Sequence, residues 1–329
     1  MIHIVQYFYL DRLNSSYGVD QPNYKKRNEY YFRCMVNFFS SCFYYFGGES
    51  VAYYFICNDL KDIEFIRGFS FRTFLLNNNI KPIEKKAEFV KHQSRWSGSM
   101  YLFDSIKAIA DHFNNQINDD SFLFFDNDIL INSPLSDMPI LFSDWDILLY
   151  DISHEYIKNG NWMISDYNGL DSIYMKDIHF KPCGGEFIGI KANKLNEFYM
   201  TYEAIFPRQG LKTEEHYLSY MVSYLLNNEY RVGFINPYIK RIWTALRYSN
   251  KNQYDYNIKL LHLPSEKEFG LYYLSKRLCN RMKYDRNIAL SYVGLRNRPF
   301  YLSIQILLKK MTKYIRRLFR SVVRSLHKS

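Results

Sequence analysis

Two aspartates stand one residue apart in the stretch FLFFDNDILI, between two apolar runs. They are Asp126 and Asp128, and the four residues before them are all apolar. Moving an ionised carboxylate into apolar surroundings costs several kcal/mol unless a cation or hydrogen-bond donors compensate for it. Because carboxylate oxygens are preferred ligands of hard divalent cations, the pair predicts a site for Mg²⁺ or Mn²⁺. An acidic turn that only caps a strand is the alternative interpretation.

A histidine late in the chain offers a third ligand. His262 lies in the stretch LLHLPS, among leucines and a proline. A histidine in such surroundings is commonly a buried, hydrogen-bonded core residue, and this alternative stays open. Its place at the end of a late predicted strand favours a nitrogen ligand that completes the acidic pair. A divalent cation held in this way suits a diphosphate substrate, because it stabilises the negative charge that develops on a diphosphate leaving group.

The elements that must position these residues follow from the apolar patterning. Strand-like and helix-like segments alternate along the chain, which predicts an α/β fold with a mostly parallel sheet. The run SFLFF, residues 121–125, is typical of a buried strand, so Asp126 falls at its carboxyl end. Open α/β sheets bind ligands outside the carboxyl ends of their strands, so the acidic pair lies where a binding site is expected. Later strands are predicted over HFKPCGGEFIGI, YRVGFINPYI and IKLLHLPS.

The apolar run, the D-x-D pair and the second apolar run together resemble the metal-binding strand of GT-A glycosyltransferases. Further stretches resemble segments of that family in the expected order: WSGSMYLFDSIKAIADHF, CGGEFIGIKANKL, LKTEEHYLSYM and LLHLPSEKEFG. The pattern is nearest to the glycogenin and lipopolysaccharide galactosyltransferase-like group, although Cys183-Gly184-Gly185 and Glu214-Glu215 stand where that group usually has N-A-G and D-Q. The resemblance implies a GT-A, Rossmann-like fold whose mostly parallel central sheet is flanked by helices. It also implies transfer of a hexose from a nucleotide-diphosphate sugar, with UDP as the expected nucleotide.

The resemblance further implies roles for individual residues. The late histidine of that group completes the metal shell, so His262 is expected to bind Mn²⁺ or Mg²⁺ with Asp126 and Asp128. The expected donor-binding residues are Tyr7, Asp59, Ser99, Lys107, Asp126 and Asn127. An ordinary loop residue is the alternative interpretation of Asp59, and a solvated helix lysine is that of Lys107. The expected acceptor-binding residues are Gly185 and His216, and the acceptor is expected to be a bacterial surface glycan, free or lipid-linked, such as O-antigen, lipooligosaccharide or capsule.

An acidic residue is also needed if transfer inverts the sugar, because the acceptor hydroxyl must then lose a proton to a general base. Glu214 and Glu215 are the first candidates, and Glu186, which follows two glycines, is the second. A structural explanation exists for the first pair. Thr213 is a good helix N-cap, and acidic residues in a first helical turn are favoured by the backbone dipole whatever the function. The pattern leaves open whether transfer retains or inverts.

The positive charge of the chain is concentrated in its last part. The formal net charge is +10, and after Asp285 there are 11 lysines and arginines and no acidic residue. From Pro299 onwards, apolar residues recur at steps of three and four between these cations, which predicts a basic amphipathic helix. We therefore predict a catalytic domain over residues 1–285 and a tail over 286–329 that associates with an anionic membrane surface. A helix packed on the body with a solvated basic face is the alternative, and no nucleic-acid partner is expected.

Cysteine usage and the absence of targeting patterns bear on the compartment. The five cysteines are scattered and include no C-x-x-C pair, which argues against a disulfide framework or a thiolate zinc site. The start MIHIVQYFYL lacks the pattern of a signal peptide, and no stretch approaches the length of a membrane span. A cytoplasmic enzyme, peripheral on the inner face of the cell membrane, is the resulting expectation. Two other functions remain open: a haloacid-dehalogenase-type phosphatase acting on sugar phosphates, and a non-enzymatic basic module that binds lipid or nucleic acid.

Overall fold

The computed structural model describes residues 1–12, 19, 23–46, 51–90, 97–113, 119–154, 181–206, 211, 213–228, 230–244 and 250–326. Within these residues the strands are β1 Ile2–Phe8, β2 Val51–Cys57, β3 Ile80–Glu84, β4 Ser121–Phe125, β5 Ile129–Ile131, β6 Ile147–Asp151, β7 Cys183–Lys191, β8 Val232–Phe234, β9 Ile239–Arg241 and β10 Leu260–His262. The helices are α1 Tyr24–Phe46, α2 Phe71–Asn77, α3 Tyr101–Phe113, α4 Met138–Asp144, α5 Leu195–Ile205, α6 Glu214–Asn227, α7 Gly270–Cys279, α8 Arg286–Tyr292 and α9 Phe300–Leu326.

The central sheet of the described chain has seven strands in the order β3-β2-β1-β4-β7-β6-β8. Neighbouring strands are parallel except at β7, which runs antiparallel to both β4 and β6. All five residues of β4 are buried, as expected for a strand covered on both faces. The prediction of an α/β fold with a mostly parallel central sheet flanked by helices is therefore confirmed, and the arrangement is compatible with a Rossmann-like fold.

Helices cover both faces of this sheet because successive side chains of a buried strand point in opposite directions. In β1, Ile4 and Phe8 pack into an apolar cluster that includes α1 and α2. The alternating residues Val5 and Tyr7 pack into a second cluster with α3, α5 and α6. The sheet is thus the middle layer of three, and side chains beyond the carboxyl ends of β1 and β4 lie at its edge.

A second, three-stranded sheet has the order β5-β10-β9, with β10 antiparallel to β5 and parallel to β9. The single strand predicted over YRVGFINPYI is wrong, because the structure divides this stretch between β8 in the central sheet and β9 in the small one. Asn236 lies between the two strands and is bound to the end of β6. Its side-chain amide donates to the Asp151 carbonyl at 2.5 Å, and its side-chain oxygen accepts from the Asp151 backbone amide at 3.1 Å. The chain thereby leaves the central sheet and enters the small sheet.

A third apolar cluster lies between the small sheet and helices α7, α8 and α9. It contains Leu261 of β10, Leu274 of α7 and Leu290 of α8, together with Leu302 and Ile306 from the first turns of α9. Within the described residues, no helix combines the length and the apolar character that crossing a membrane requires.

Gly270, the first residue of α7, is expected to tolerate no side chain. A Cβ there would lie 2.4 Å from the Tyr292 carbonyl oxygen and 2.8 Å from the Val293 Cα. These are backbone atoms at the end of a packed helix, so relieving the overlap requires a shift of that helix. We expect Gly270→Ala to lower the free energy of unfolding by about 2 kcal/mol, measured by urea denaturation.

Gly233→Ala is the comparison, because the three atoms nearest to the added Cβ all belong to the ring of Trp145, with the Cγ at 2.6 Å. Trp145 is 39% exposed and these contacts are to a side chain rather than to backbone, so this substitution should cost less. Equal costs for the two substitutions would contradict the packing described for α7 and α8.

Candidate functional site

The pairing of the small sheet brings the acidic pair and the late histidine together. β5 begins one residue after Asp128, and Ile129 of β5 stands opposite His262 of β10. The Leu263 amide donates to the Asp128 carbonyl at 3.0 Å and fixes this register. Asp126 is held at the end of β4, where its backbone amide donates to the Glu186 carbonyl at 3.0 Å. The structure therefore places residues that are far apart in sequence at one edge of the central sheet.

The side chains of Asp126, Asp128 and His262 converge on one point. Each offers a ligand atom, and the three atoms lie within 4.8 Å of one another. The His262 Nε2 atom is 3.3 Å from the Asp128 Oδ1 atom and 3.7 Å from the Asp126 Oδ2 atom. Asp128 is fully buried, whereas 31% of the Asp126 side chain is exposed, so the group opens to solvent on the Asp126 side.

The donor set fits a divalent cation. Both carboxylate oxygens of Asp128 and the Nε2 atom of His262 are buried and make no hydrogen bond of good geometry within the described structure, although His262 and Lys267 lie within ion-pair distance of Asp128. Buried polar atoms are nearly always partnered, so such a group calls for an explanation, and a metal ion is one. Two carboxylates and one imidazole are ligands that suit Mg²⁺ or Mn²⁺.

Glu186 of β7 orients the histidine. Its Oε1 atom lies 3.0 Å from the Nδ1 atom of His262, on the side of the ring that faces away from the aspartates. A carboxylate behind a metal-ligating imidazole fixes the ring and directs the other nitrogen toward the metal. Burial alone would lower the pKa of His262, but the carboxylates of Asp128 and Glu186 overcome that effect and raise the pKa well above its ordinary value.

Glu186 is itself held by Arg241, which is a site residue that the sequence did not single out. The Nε and Nη2 atoms of Arg241 donate to the two oxygens of Glu186, each at 2.9 Å, and Nη2 also donates to Glu215 Oε1 at 2.8 Å. Although burial opposes ionisation, Arg241 and His262 bring the pKa of Glu186 down to about 2. Glu186 is thus an ionised support for His262, and Glu215 is bound to the same guanidinium.

Lys267 is the second residue that sequence reasoning missed. Its Nζ atom lies 3.1 Å from Asp128 Oδ2 and 3.9 Å from Asp126 Oδ2, and it stands over the ring of Tyr31 at 5.2 Å. Burial would lower the pKa of Lys267, but the two aspartates raise it well above the ordinary value. In the sequence this lysine sits in the polar stretch SEKE, which is typical of an exposed turn, so only its short separation from His262 could have drawn attention to it.

Glu214 opens α6 at the same edge of the sheet. The predicted N-cap is confirmed, since the Thr213 side chain accepts from the His216 amide. A Cβ on Gly185 would lie 2.5 Å from the Glu214 Cγ atom, so the glycine lets the carboxyl approach β7. Burial, and secondly the charge of Glu215, raise the pKa of Glu214 to about 8, while a hydrogen bond with Ser99 opposes that rise.

Tyr7 joins this group from the end of β1. Its hydroxyl donates to the Gly185 carbonyl at 3.4 Å. Burial, followed by the charges of Asp126 and Glu214, raises the pKa of Tyr7 well above its ordinary value. The structure therefore gathers Tyr7, Ser99, Gly185 and Glu214 beside the acidic pair.

The remaining predicted site residues have other surroundings. Asp59 forms an ion pair with Arg12 at 2.6 Å, and Lys107 donates to Glu88 at 3.0 Å and stands 5.1 Å from the ring centroid of Tyr199. His216 is buried in α6. For Asn127, the backbone amide donates to Asp126 Oδ1 at 2.7 Å, and its buried side-chain oxygen is unpartnered in the part of the chain that is described.

The raised pKa of Glu214 predicts a pH-dependent stability. From its ordinary value of 4.5 up to about 8, the folded protein keeps a proton that the unfolded chain has lost, so unfolding releases a proton and stability falls as pH rises. Glu214→Gln should remove this loss. Its gain over the unmodified protein should grow from pH 5 to pH 8 and then level off, at on the order of 1 kcal/mol, because solvent screens a partly buried carboxyl.

Urea denaturation across that pH range measures the effect. Glu197→Gln, at an exposed position of α5, serves as the control and should run parallel to the unmodified protein. A constant difference between Glu214→Gln and the unmodified protein at every pH would contradict the shift.

No protein-family model matches this sequence, and a search of curated proteins finds no match.

Proposed function

We propose that this protein is a metal-dependent glycosyltransferase that transfers a hexose from a nucleotide-diphosphate sugar, with UDP as the nucleotide. The proposal rests on one observation: two aspartates and a histidine converge beyond the carboxyl end of β4, with their ligand atoms within 4.8 Å of one another. That position is the one at which open α/β sheets bind their ligands. The fold and the order of motifs that resemble GT-A enzymes support the same interpretation.

In this proposal Asp126, Asp128 and His262 hold Mn²⁺ or Mg²⁺. When bound, the cation neutralises the negative charge that develops on the departing nucleoside diphosphate. Lys267 adds a second, fixed positive charge at the same place, since its ammonium group lies 3.1 Å from Asp128 and is 14% exposed. Phosphate oxygens that reach the open side of the acidic pair would contact this ammonium group. They would then replace part of the contact that Lys267 makes with Asp128.

The group around Gly185 is suited to bind sugar hydroxyls. At neutral pH Glu214 is largely a neutral acid, because its pKa is raised to about 8, and it therefore donates a hydrogen bond as well as accepting one. Tyr7 and Ser99 add hydroxyl groups. Only those protein molecules in which Glu214 is ionised can use it as a base for an acceptor hydroxyl. Glu215 and Glu186 are held by Arg241, so Glu214 is the best placed of the three predicted bases to act on an acceptor.

The tail supports an acceptor at a lipid surface. In the first turns of α9, Leu302 and Ile306 are buried against the body, whereas Leu307, Leu308 and Met311 are 57%, 57% and 53% exposed. An exposed apolar stripe on a helix rich in lysine and arginine suits insertion into an anionic bilayer surface. We therefore propose that the protein is peripheral on the inner face of the cell membrane and acts on a glycan or lipid-linked glycan.

The metal centre is tested by thermal unfolding with nucleoside diphosphates, with and without Mn²⁺. UDP and Mn²⁺ together should raise the melting temperature of the unmodified protein, since a ligand that binds only the folded state stabilises it. Asp128→Asn should abolish the part of the shift that requires Mn²⁺, because it removes a ligand charge. Asp137→Asn, at a carboxylate that pairs with Lys259 at 2.7 Å, is the control and should keep the shift.

A shift that is independent of metal, or no shift with any nucleotide, would contradict the proposal. Release of phosphate from sugar phosphates without transfer of a sugar would support the phosphatase interpretation instead.

Membrane association is tested by flotation with vesicles that contain phosphatidylglycerol. The double variant Leu308→Glu/Met311→Glu places charge on the exposed stripe and should weaken binding about tenfold or more, because both apolar contact and charge attraction are lost. Both side chains are exposed, so the folded body should be unaffected, as thermal unfolding can check. Ile140→Glu/Met200→Glu, at apolar side chains of α4 and α5 that are 66% and 65% exposed, is the matched control. Equal flotation of the three proteins would rule out this stripe as the lipid contact.

A further inference from the structure

The segment that carries Lys267 is short and tightly fastened. This segment, the Lys267 loop, runs from Pro264 to Phe269, between β10 and α7. Glu266 of this loop is fully buried and accepts from the Gly270 amide at 2.6 Å and from the Thr244 hydroxyl at 2.5 Å. The loop is therefore anchored to the start of α7 and to Thr244.

Two cations from the C-terminal part of the chain hold the loop on either side of Lys267. Before it, Arg298 Nη2 lies 3.2 Å from Glu266 Oε1, and only 15% of the arginine side chain is exposed. After it, Lys309 of α9 donates to the Glu268 carbonyl. The Lys309 Nζ atom also lies 4.6 Å from the ring centroid of Tyr30 and 4.4 Å from that of Tyr272. Cations stacked on aromatic rings away from water contribute more than exposed ion pairs do.

We propose that Arg298 and Lys309 are positioning residues for Lys267, so that the docking of α9 sets where the lysine's charge stands relative to Asp126 and Asp128. The placement of Lys267 follows from the contacts just described. Its consequence for a metal-bound diphosphate rests on the proposed function.

The geometry of α9 allows this role together with lipid contact. Leu302, Ile306 and Lys309 are spaced by four and three residues, so they share the helix face that meets the body. Leu307, Leu308 and Met311 are exposed elsewhere on the helix circumference. A lipid surface and the Lys267 loop therefore use different faces of the same helix, and binding one does not require release of the other.

The placement is tested by acetylation of the full-length protein with a low dose of acetic anhydride, followed by mass spectrometry of the Lys267 peptide. The internal reference is Lys191, which is 21% exposed and paired with Asp146. In Lys309→Met and in Arg298→Met the acetylation rate of Lys267, relative to Lys191, should rise about tenfold, since the loop opens more often. Lys309→Arg should restore the slow rate. Arg296→Met, which removes the same charge two residues before Arg298 at an exposed position, should leave it unchanged.

An unchanged Lys267 rate in both Lys309→Met and Arg298→Met would overturn the inference. A rise that Lys191 shares would also count against it, because it would show general loosening of the fold.

A second readout separates positioning from stability. Lys267→Met removes a cation 3.1 Å from Asp128 and should tighten Mn²⁺ binding, measured by electron paramagnetic resonance. Lys309→Met should tighten it in the same direction, and the double variant should bind no more tightly than Lys267→Met alone, because both substitutions act through the same ammonium group. Fully additive effects would overturn the inference. If no variant binds Mn²⁺, the proposed metal centre fails, whereas the acetylation rates still decide the placement of Lys267.

Discussion

The charge of Asp128 is the constraint on which the candidate site depends. Its side chain is fully buried, so it requires compensation by cations from elsewhere in the chain, and His262 and Lys267 approach it to 3.3 and 3.1 Å. Each of these partners then needs support of its own. Glu186 stands behind His262, and the ring of Tyr31 lies under Lys267. Removing one member of such a set leaves an uncompensated buried charge, which is more costly than removing a matched pair.

Carboxyl groups outnumber cations at this edge of the sheet within the described residues. The carboxyl groups are Asp126, Asp128, Glu186, Glu214 and Glu215, and the cations are Arg241, His262 and Lys267. Two features reduce this excess of negative charge. The Arg241 guanidinium binds both Glu186 and Glu215, and Glu214 retains its proton up to about pH 8 because its pKa is raised. An excess of negative charge that is only partly relieved favours the entry of a further cation.

Much of the central sheet could be predicted from the sequence, because strands buried on both faces appear as apolar runs between turns. The neighbourhood of Asp126 and Asp128 followed from the same reasoning. The residues that complete it did not: Lys267 lies in a polar stretch and Arg241 lies beside Lys240 between isoleucines, and nothing in a charged residue's immediate sequence shows that it is buried beside a distant carboxylate. The sequence predicts a strand over IKLLHLPS, but it does not predict the small sheet that this strand helps to form. Strands of three residues do not show in their own pattern which strands they pair with.

The pairing of β5 with β10 has a consequence for the order in which the protein forms during synthesis. β5 leaves the ribosome long before β10, since Ile129 and His262 lie in widely separated parts of the chain. At synthesis rates of roughly 5–20 residues per second, the acidic pair waits on the order of ten seconds for the imidazole that faces it. Pairing over so long a loop is also intrinsically slow. Strands β1 to β4 can therefore pair early, whereas the group of Asp126, Asp128 and His262 forms only after His262, in the last third of the chain, has been made.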